Sequence, residues 1–517
     1  MNSDYKKFAL SRRAFLGASA GVGTILLAGG LPIGLARAQT GSHLRFGLSS
    51  FPPNLNPFEY TGTASLTVKL LIYRGLLSYA ADGSVRPELA ESWRQVDPVT
   101  YEFVLRENAR FHDGSVVQAE DVKFSYETIA AENSTAHLRK DFQIVESVDI
   151  LDPRTVRVVL KQPSVTFPQV VASGYAMIVS RNSSAPGYVG AGPFTLGNID
   201  RGSAIQLQAF SDYYKSDLPG VQSLRFIAMP DESLRIAALE SGDVDVIEYV
   251  STQQFERLRN DKGITLQSVN GPFMYLVFNT EQGPFTDPRL RRAVGYAIDR
   301  DAINKIGFSG VGEPMGGLPI PDGPAYDPSL GGERLGYDPA RAQALLAEAG
   351  VSTLTIEFLS TAQYAQHNDT ALVVQQNLAA VGIQCKMNLP DWASRVTQGN
   401  RGQYHLAVNG TAGAFNDPDA VSAYLEGGQP PSYTRPYGYN NDEINELLRK
   451  GREEMEPSER AKIYGRIEEI ALQEMPFLPL LWRPQAYALR DSVKNFGPLP
   501  GFLVFQSGLR LEEASLV

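Results

Sequence analysis

Cysteine occurs once in 517 residues, at Cys385, so no intrachain disulfide can form. That residue follows "AVGIQ" in what reads as a buried strand, where a thiol packs rather than reacts. The five histidines, His43, His112, His137, His367 and His405, are scattered, with no H-E-x-x-H pair, so neither a metal nor any other cofactor is expected. There is no G-x-S-x-G elbow and no P-loop, and Gly21-Val22-Gly23 fails the dinucleotide fingerprint. Basic excess is also missing. Asp and Glu number 57 against 47 Lys and Arg, a formal charge of −10, which argues against nucleic acid and anionic lipid as partners. Beyond residue 38 no apolar run approaches the length of about 20 residues that crosses a membrane.

What the chain does have begins at its start. Lys6, Lys7, Arg12 and Arg13 form a basic head, Gly17 to Leu35 a weakly apolar body rich in glycine, and Ala36-Arg37-Ala38 an A-x-A site before Gln39. Six glycines and one proline in that body suit a removable signal better than a lasting anchor. "SRRAFL" (11–16) resembles the twin-arginine export signal, a receptor-read address. Residues 1–38 are therefore expected to be a signal peptide cleaved near Ala38. With it go five positive charges and one negative, leaving a mature charge of about −14. No cysteine stands at the cleavage site to take a lipid. The expected address is the periplasm of a Gram-negative bacterium, reached through the twin-arginine machinery.

The remaining residues mix strands and helices. "TYEFVLRENARF" and "TVRVVLKQP" alternate like half-buried strands. "DPRLRRAVGYAIDR" and "DPARAQALLAEAG" carry Asp287 and Asp338 as caps, Pro288 and Pro339 at the first helical position, and Gly350 as a stop. Leu290, Ala293, Val294, Ala297 and Ile298 form one apolar face, and "SERAKIYGRIEEIALQEMP" repeats the pattern up to Pro476. Asp417-Pro418-Asp419 reads as a turn with a helix cap rather than an acidic site. An α/β protein of two or three domains follows, without low-complexity linker or internal repeat. A periplasmic hydrolase is the weaker alternative, because no nucleophile-and-base pair supports it.

"FVLRENARFHDGSVVQAEDVKFSYETI" (103–129) resembles the strand, turn and helix of family 5 extracytoplasmic solute-binding proteins, which serve ABC importers of peptides, nickel chelates, opines and some sugars. "GAGPFTL" (190–196), "LRIAALESGDVDVI" (234–247), "YLVFNTEQGPFTDPRLRRAVGYAIDRDAI" (275–303), "YDPARAQALLAEAG" (337–350) and "LPLLWRPQAYALRDSVKNF" (478–496) follow in the family's order. These segments also have plain structural jobs: a turn at Asp113-Gly114 beside a packed His112, and a helix stop at Gly242. The resemblance implies a two-lobed periplasmic binding protein fold of class II type that closes like a hinge. It places lobe I at 39–270 plus 485–517, with an extra subdomain at about 75–190, and lobe II at 271–484. It implies a monomer, not an enzyme, that hands a small solute to membrane permease subunits.

Cargo is less legible. In dipeptide-binding relatives an aspartate shortly before the D-P-D turn holds the peptide amine, and an arginine on an earlier helix holds the carboxylate. Here Ala414 aligns with the first, and Asn368 or Asp369 with the second. An unpartnered buried ligand charge costs ~3–5 kcal/mol, two to three decades of affinity. The family's cleft-facing segments place Tyr60, Thr61, Phe273, Tyr275, Asn368, Asp369, Trp392, Thr411 and Phe415 as ligand-binding candidates. Such groups suit an opine-like, sugar-bearing or cationic cargo; the alternative is a dipeptide- or oligopeptide-binding protein with a replaced clamp. If the paired arginines are the export address, Arg12→Lys with Arg13→Lys leaves the protein uncleaved in the cytoplasm, which immunoblotting of cell fractions reads directly; normal periplasmic accumulation of the double variant contradicts it.

Overall fold

The two alternating segments pair with each other. Thr100–Leu105 and Thr155–Leu160 run antiparallel in a four-stranded sheet completed by Ala90–Asp97 and Val145–Asp152. Their inward residues Tyr101, Phe103, Val156 and Val158 are buried. Helix Ala119–Ala130 covers this sheet; a capping box between Gln118 and Asp121 starts it, and the preceding Asp113-Gly114 turn has Gly114 at φ 84°. His112 is packed as expected, edge-on to Phe210 with its Nε2 3.0 Å from the Gly192 carbonyl.

The computed structural model describes residues 42–332 and 336–517; the signal-peptide expectations for residues 1–38 lie outside the described residues. Among the described residues no helix is long and apolar enough to cross a membrane. The main sheet has eleven strands. Its order is Phe194–Asp200, Ala204–Ala209, Ser223–Ala228, His43–Leu48, Val246–Glu248, Phe477–Arg490, Ile264–Phe278, Leu406–Thr411, Leu354–Leu359, Ile383–Asn388, with Glu313–Pro314 also on Phe477–Arg490. Parallel pairs lie on both sides of the antiparallel centre, as helices on both faces require. Helices Pro288–Ala297 and Pro339–Glu348 begin where the Asp-Pro pairs place them, with Asp287 and Asp338 accepting from the backbone N–H of Arg289 and Arg341. Leu290, Ala293, Val294 and Ala297 are buried together in one core cluster. Cys385 lies half-buried in strand Ile383–Asn388, where burial pushes its thiol up to about 12.

Two strands tie the halves of this sheet together. Ile264–Phe278 and Phe477–Arg490 pair antiparallel from end to end, with a break in register between Asn270 and Phe273, opposite Pro484 and Trp482. Residues before the break belong to the side of His43–Leu48; residues after it pair with Leu406–Thr411. At the break Gly271 lies so close to the chain at Gly501 that a Cβ would fall 1.9 Å from the Gly501 carbonyl oxygen. No other residue fits there without moving one of the two backbones.

The carboxy-terminal helical segment Gly501–Glu512 is locked by buried charge. Glu512 accepts from Arg74 Nη2 (2.8 Å), Lys215 Nζ (2.8 Å) and the Tyr213 hydroxyl (2.7 Å), while Glu88 accepts from Lys215 Nζ (2.7 Å) and from Tyr214. Burial alone would raise both carboxyls; the Lys215 and Arg74 cations outweigh it and hold both below the usual carboxylate range. Their stabilisation is thus complete above that range and is lost as pH falls through and below it. Removing one partner of a buried pair leaves the others uncompensated, at a cost of ~3–5 kcal/mol. Glu512→Gln is expected to lower the unfolding midpoint by that equivalent at pH 7 and to flatten the acid limb of the stability curve. Chemical denaturation at several pH values checks both, and a variant as stable as the parent refutes the role of the cluster.

Candidate functional site

The loop before helix Thr63–Ile72 is fastened from beneath. Lys69, wholly buried on that helix, donates to the Glu59 carbonyl (2.8 Å) and to Thr61 Oγ1 (2.9 Å), and Thr61 donates to Ser65 Oγ (2.7 Å). Burial, only partly offset by the Glu59 carboxylate, pushes the ammonium down to about 8. Above this pinned backbone Tyr60 projects outward with 56% of its surface exposed. Its ring stands 5.3 Å from His137, whose ring is 4.6 Å from that of Tyr175. Burial among these neighbours, with Tyr249 and Tyr433 added, still raises the Tyr60 hydroxyl. Tyr60 is thus open to water yet flanked by the rings of His137 and Tyr175.

Tyr249 comes from the same side of the molecule. It follows strand Val246–Glu248 with φ 53°, a left-handed conformation that costs a non-glycine residue roughly 1–3 kcal/mol. The bend brings its hydroxyl to 3.2 Å from Thr63 Oγ1 and lays its ring parallel to Phe505, with centroids 6.3 Å apart.

The facing wall is built from two helix starts. Helix Trp392–Asn400 begins where Asp391 accepts from the Ser394 backbone N–H, and helix Ala365–Ala380 begins after Tyr364. The Trp392 ring meets those of Tyr364 (5.2 Å), His367 (5.6 Å) and Tyr433 (5.7 Å), each nearly edge to face. One turn on from Trp392, Arg395 is wholly buried with its guanidinium 5.4 Å from the Trp392 ring and 5.2 Å from that of Tyr433. Its Nη2 donates to the Val408 carbonyl and to Asn409, but Nε and Nη1 have no hydrogen-bond partner. Both ring nitrogens of His367 are likewise buried and unpartnered. Burial, then Arg395 and Arg483, push this imidazole down to about 3, so it is neutral at every physiological pH.

Arg483 stands on the strand that joins the two sides, next to the break in register. Its side chain is 8% exposed. Nε has no partner, Nη1 makes only a 3.5 Å contact to Gln485 Oε1, and among the described residues no carboxylate lies within ion-pairing distance. Burial lowers its pKa, partly countered by Tyr249. The carboxyl that bears on this group of side chains is Glu248, itself wholly buried, held by the Ser49 N–H and hydroxyl and raised in pKa by burial. Two arginines, a neutral histidine and at least five aromatic rings therefore share one electrostatic neighbourhood, in which Glu248 is buried on Ser49 and Asp391, exposed at the start of the Trp392 helix, is committed to Ser394. Elsewhere, among the described residues, no three His, Cys, Asp or Glu side chains gather as a metal site would need.

The residues singled out from the sequence divide. Tyr60 and Trp392 belong to this neighbourhood. Thr61 lies beneath it with its hydroxyl committed to Lys69 and Ser65. Phe273 and Tyr275 are wholly buried, Phe273 among Tyr424, Trp482 and Phe502, and Tyr275 donating to the Thr434 carbonyl at 2.7 Å. Thr411 pairs across the sheet with Phe273, and Phe415 is buried at 8% exposure. Asp369 packs toward Gly307, and Asn368 precedes it; two helical positions from His367 turn a side chain through about 200°, away from the site. Sequence reasoning passed over Arg395, Arg483, His367, Tyr249 and Tyr433. One signal was available: Arg483 is the single charged residue in Phe477–Leu489, amid apolar neighbours.

Comparison with known proteins places this geometry. The profile of the family described as bacterial extracellular solute-binding proteins, family 5 Middle, matches residues 84–432. The glutathione-binding protein GsiB of Escherichia coli (strain K12) is 28% identical over 485 residues, 89% of this chain and 92% of that protein. Among solved structures, the binding protein AgaA from A. tumefaciens R10 in complex with agropinic acid is 37% identical, with a TM-score of 0.83 over 92% of this chain and 99% of that one. The periplasmic binding protein DppA of Helicobacter pylori, in complex with the peptide STSA, shares the fold at 22% identity and a TM-score of 0.80, covering 92% and 98%. The two-lobed α/β fold is thus that of periplasmic binding proteins.

The neutral state of His367 is directly measurable. Its ring resonances, assigned by the loss of one set in His367→Asn, are expected to stay unshifted from pH 8 to pH 5 by NMR. A midpoint between 6 and 7 contradicts the burial and the two flanking arginines.

Proposed function

Because the chain belongs to family 5 of the bacterial extracellular solute-binding proteins, the binding components of ABC importers, we propose that its cargo is an opine-type solute rather than a plain dipeptide. One observation carries this reading: around Tyr60, Tyr249, His367, Trp392 and Tyr433 the nearby carboxylates are already committed, Glu248 to Ser49 and Asp391 to Ser394, whereas Arg395 and Arg483 keep unpartnered guanidinium atoms. A zwitterion would bury its positive end unpaired, at ~3–5 kcal/mol. The same two arginines weigh against the cationic cargo allowed by the sequence. The 37% identity to a protein solved with agropinic acid supports the opine class. A peptide acid remains the second reading, favoured by the similarity to a glutathione-binding protein; it requires the peptide amine to reach solvent or an acceptor outside the aromatic group.

Closure around the solute follows from the two-strand connection. The break in register opposite Pro484 and Trp482 supports division at residues 270 and 485, with lobe I at 39–270 plus 485–517 and lobe II at 271–484. The separate four-stranded sheet supports an extra subdomain within 75–190. Tyr60 and Tyr249 then belong to one lobe and Trp392, His367 and Tyr433 to the other, so a ligand between them favours the closed state by its differential affinity. The protein works as a monomer in a Gram-negative periplasm, exported by the twin-arginine route with cleavage near Ala38, and delivers its solute to the permease without turnover.

Titration calorimetry of the mature protein is expected to show one site for agropinic acid and no binding of Ala-Ala below the millimolar range. The emission of Trp392, set among Tyr364, His367 and Tyr433, is expected to change saturably, and Trp392→Phe to remove most of that change while Trp93 and Trp482 remain. Submicromolar binding of Ala-Ala contradicts the non-peptide reading.

A further inference from the structure

Most buried cations in this protein are satisfied. Arg74 meets Glu512, Arg460 is bidentate on Asp417 at 2.8 and 2.9 Å, and Arg452 bridges Asp419 and Glu426. Arg291 and Arg300, also buried, are turned onto backbone carbonyls. Arg395 has its Nη2 anchored and its plane covered by two rings. Arg483 alone among these has neither a carboxylate nor a backbone carbonyl on its guanidinium, only the long 3.5 Å contact to Gln485 Oε1. A buried cation without counter-ion costs several kcal/mol, and the nearby His367, held neutral, offers no acid to offset it. Such a charge persists in a stable fold when something that comes and goes completes it.

We propose that Arg483 is the anion seat of the site and that the cargo brings a carboxylate to serve as its counter-ion. The proposal rests on the cargo reading above and sharpens it from an opine-type solute to an anion with a carboxylate at a defined place. A planar guanidinium with a free Nε edge suits a carboxylate's two oxygens. Its position on the strand common to both sides, between Trp482 and Pro484 at the break in register, sets the bound charge at the pivot and leaves the aromatic walls to close over the rest. Neutral His367 can then give one hydrogen bond and accept another, a pairing suited to a hydroxyl or amide on the same molecule.

Arg483→Gln, Arg483→Met and Arg483→Lys test this with two probes. The first probe is agropinic acid, followed by calorimetry. The second is sodium acetate against sodium chloride at equal ionic strength, followed by thermal unfolding of the ligand-free protein, which asks only for a carboxylate. Acetate is expected to raise the midpoint of the parent and not of the Gln and Met variants, and agropinic acid is expected to bind about a hundredfold more weakly to Arg483→Gln, with Arg483→Lys between. Arg483→Met is expected to unfold at or above the ligand-free parent's midpoint, because it removes an unpaired buried charge, and this also reports that the fold is kept. Acetate protection that depends on Arg483, with no agropinic acid binding to the parent, leaves the anion seat standing and rejects the opine cargo. Protection by acetate that is absent from the parent or equal in all variants overturns the seat, as does agropinic acid affinity unchanged in Arg483→Gln.

Discussion

Ile264–Phe278 and Phe477–Arg490 pair at the centre of the main sheet, with the strands from Phe194–Asp200 to Val246–Glu248 on one side of them and Leu406–Thr411, Leu354–Leu359 and Ile383–Asn388 on the other. That pairing imposes two conditions at once. Relative motion of the sides must pass through a few residues around Asn270 and Pro484, and any side chain on those residues is shared by both. Gly271 meets the first condition by letting the chain pass within contact of Gly501. Arg483 answers to the second: it places a charge where neither side can supply a counter-ion without moving.

The rest of the polar interior explains why this one charge stands out. Glu88 and Glu512 are surrounded by Arg74, Lys215 and two tyrosine hydroxyls, and they hold the Gly501–Glu512 segment whose Phe502 and Phe505 back the hinge and Tyr249. Asp417 and Asp419, in the turn after Phe415, are spent on Arg460 and Arg452. Lys69 fixes the backbone under Tyr60. Each of these is a satisfied device that holds an aromatic wall in place. Arg483, Arg395 and His367 keep buried atoms without partners, and both arginines lie near enough to depress the His367 pKa. Rigid support with incomplete polar groups is what a site looks like before its solute arrives.

Local chemistry was the legible part of the sequence. Asp-Pro pairs at 287–288 and 338–339, the glycine stops at Gly242 and Gly350, and the Asp113-Gly114 turn act within four or five residues, so they can be read one window at a time. The family resemblance gave the fold through matches in order along the chain. The site was legible only in part because it is assembled from positions near 60, 249, 367, 392, 433 and 483. Phe273 and Tyr275 enter the candidate set through the family's cleft-facing segments, but the connecting strand that carries them is buried just there. Asn368 and Asp369 illustrate a sharper limit: alignment to within one or two residues cannot say which of 367, 368 and 369 faces the site when each step turns the side chain by about 100°. Arg483 lies inside a segment whose neighbours "LLW" and "PQAYA" read as scaffold, although a lone charge amid such residues signals a partner to be found.

The most direct measurement is a crystal structure of the mature protein holding the molecule it retains from its native periplasm. The account predicts a carboxylate of that molecule within about 2.7–3.0 Å of the Arg483 guanidinium, with the remainder enclosed by Tyr60, Tyr249, Trp392 and Tyr433. A neutral or cationic group facing Arg483, or a solute seated away from it, would contradict the claim that the hinge strand carries a cation waiting for its cargo.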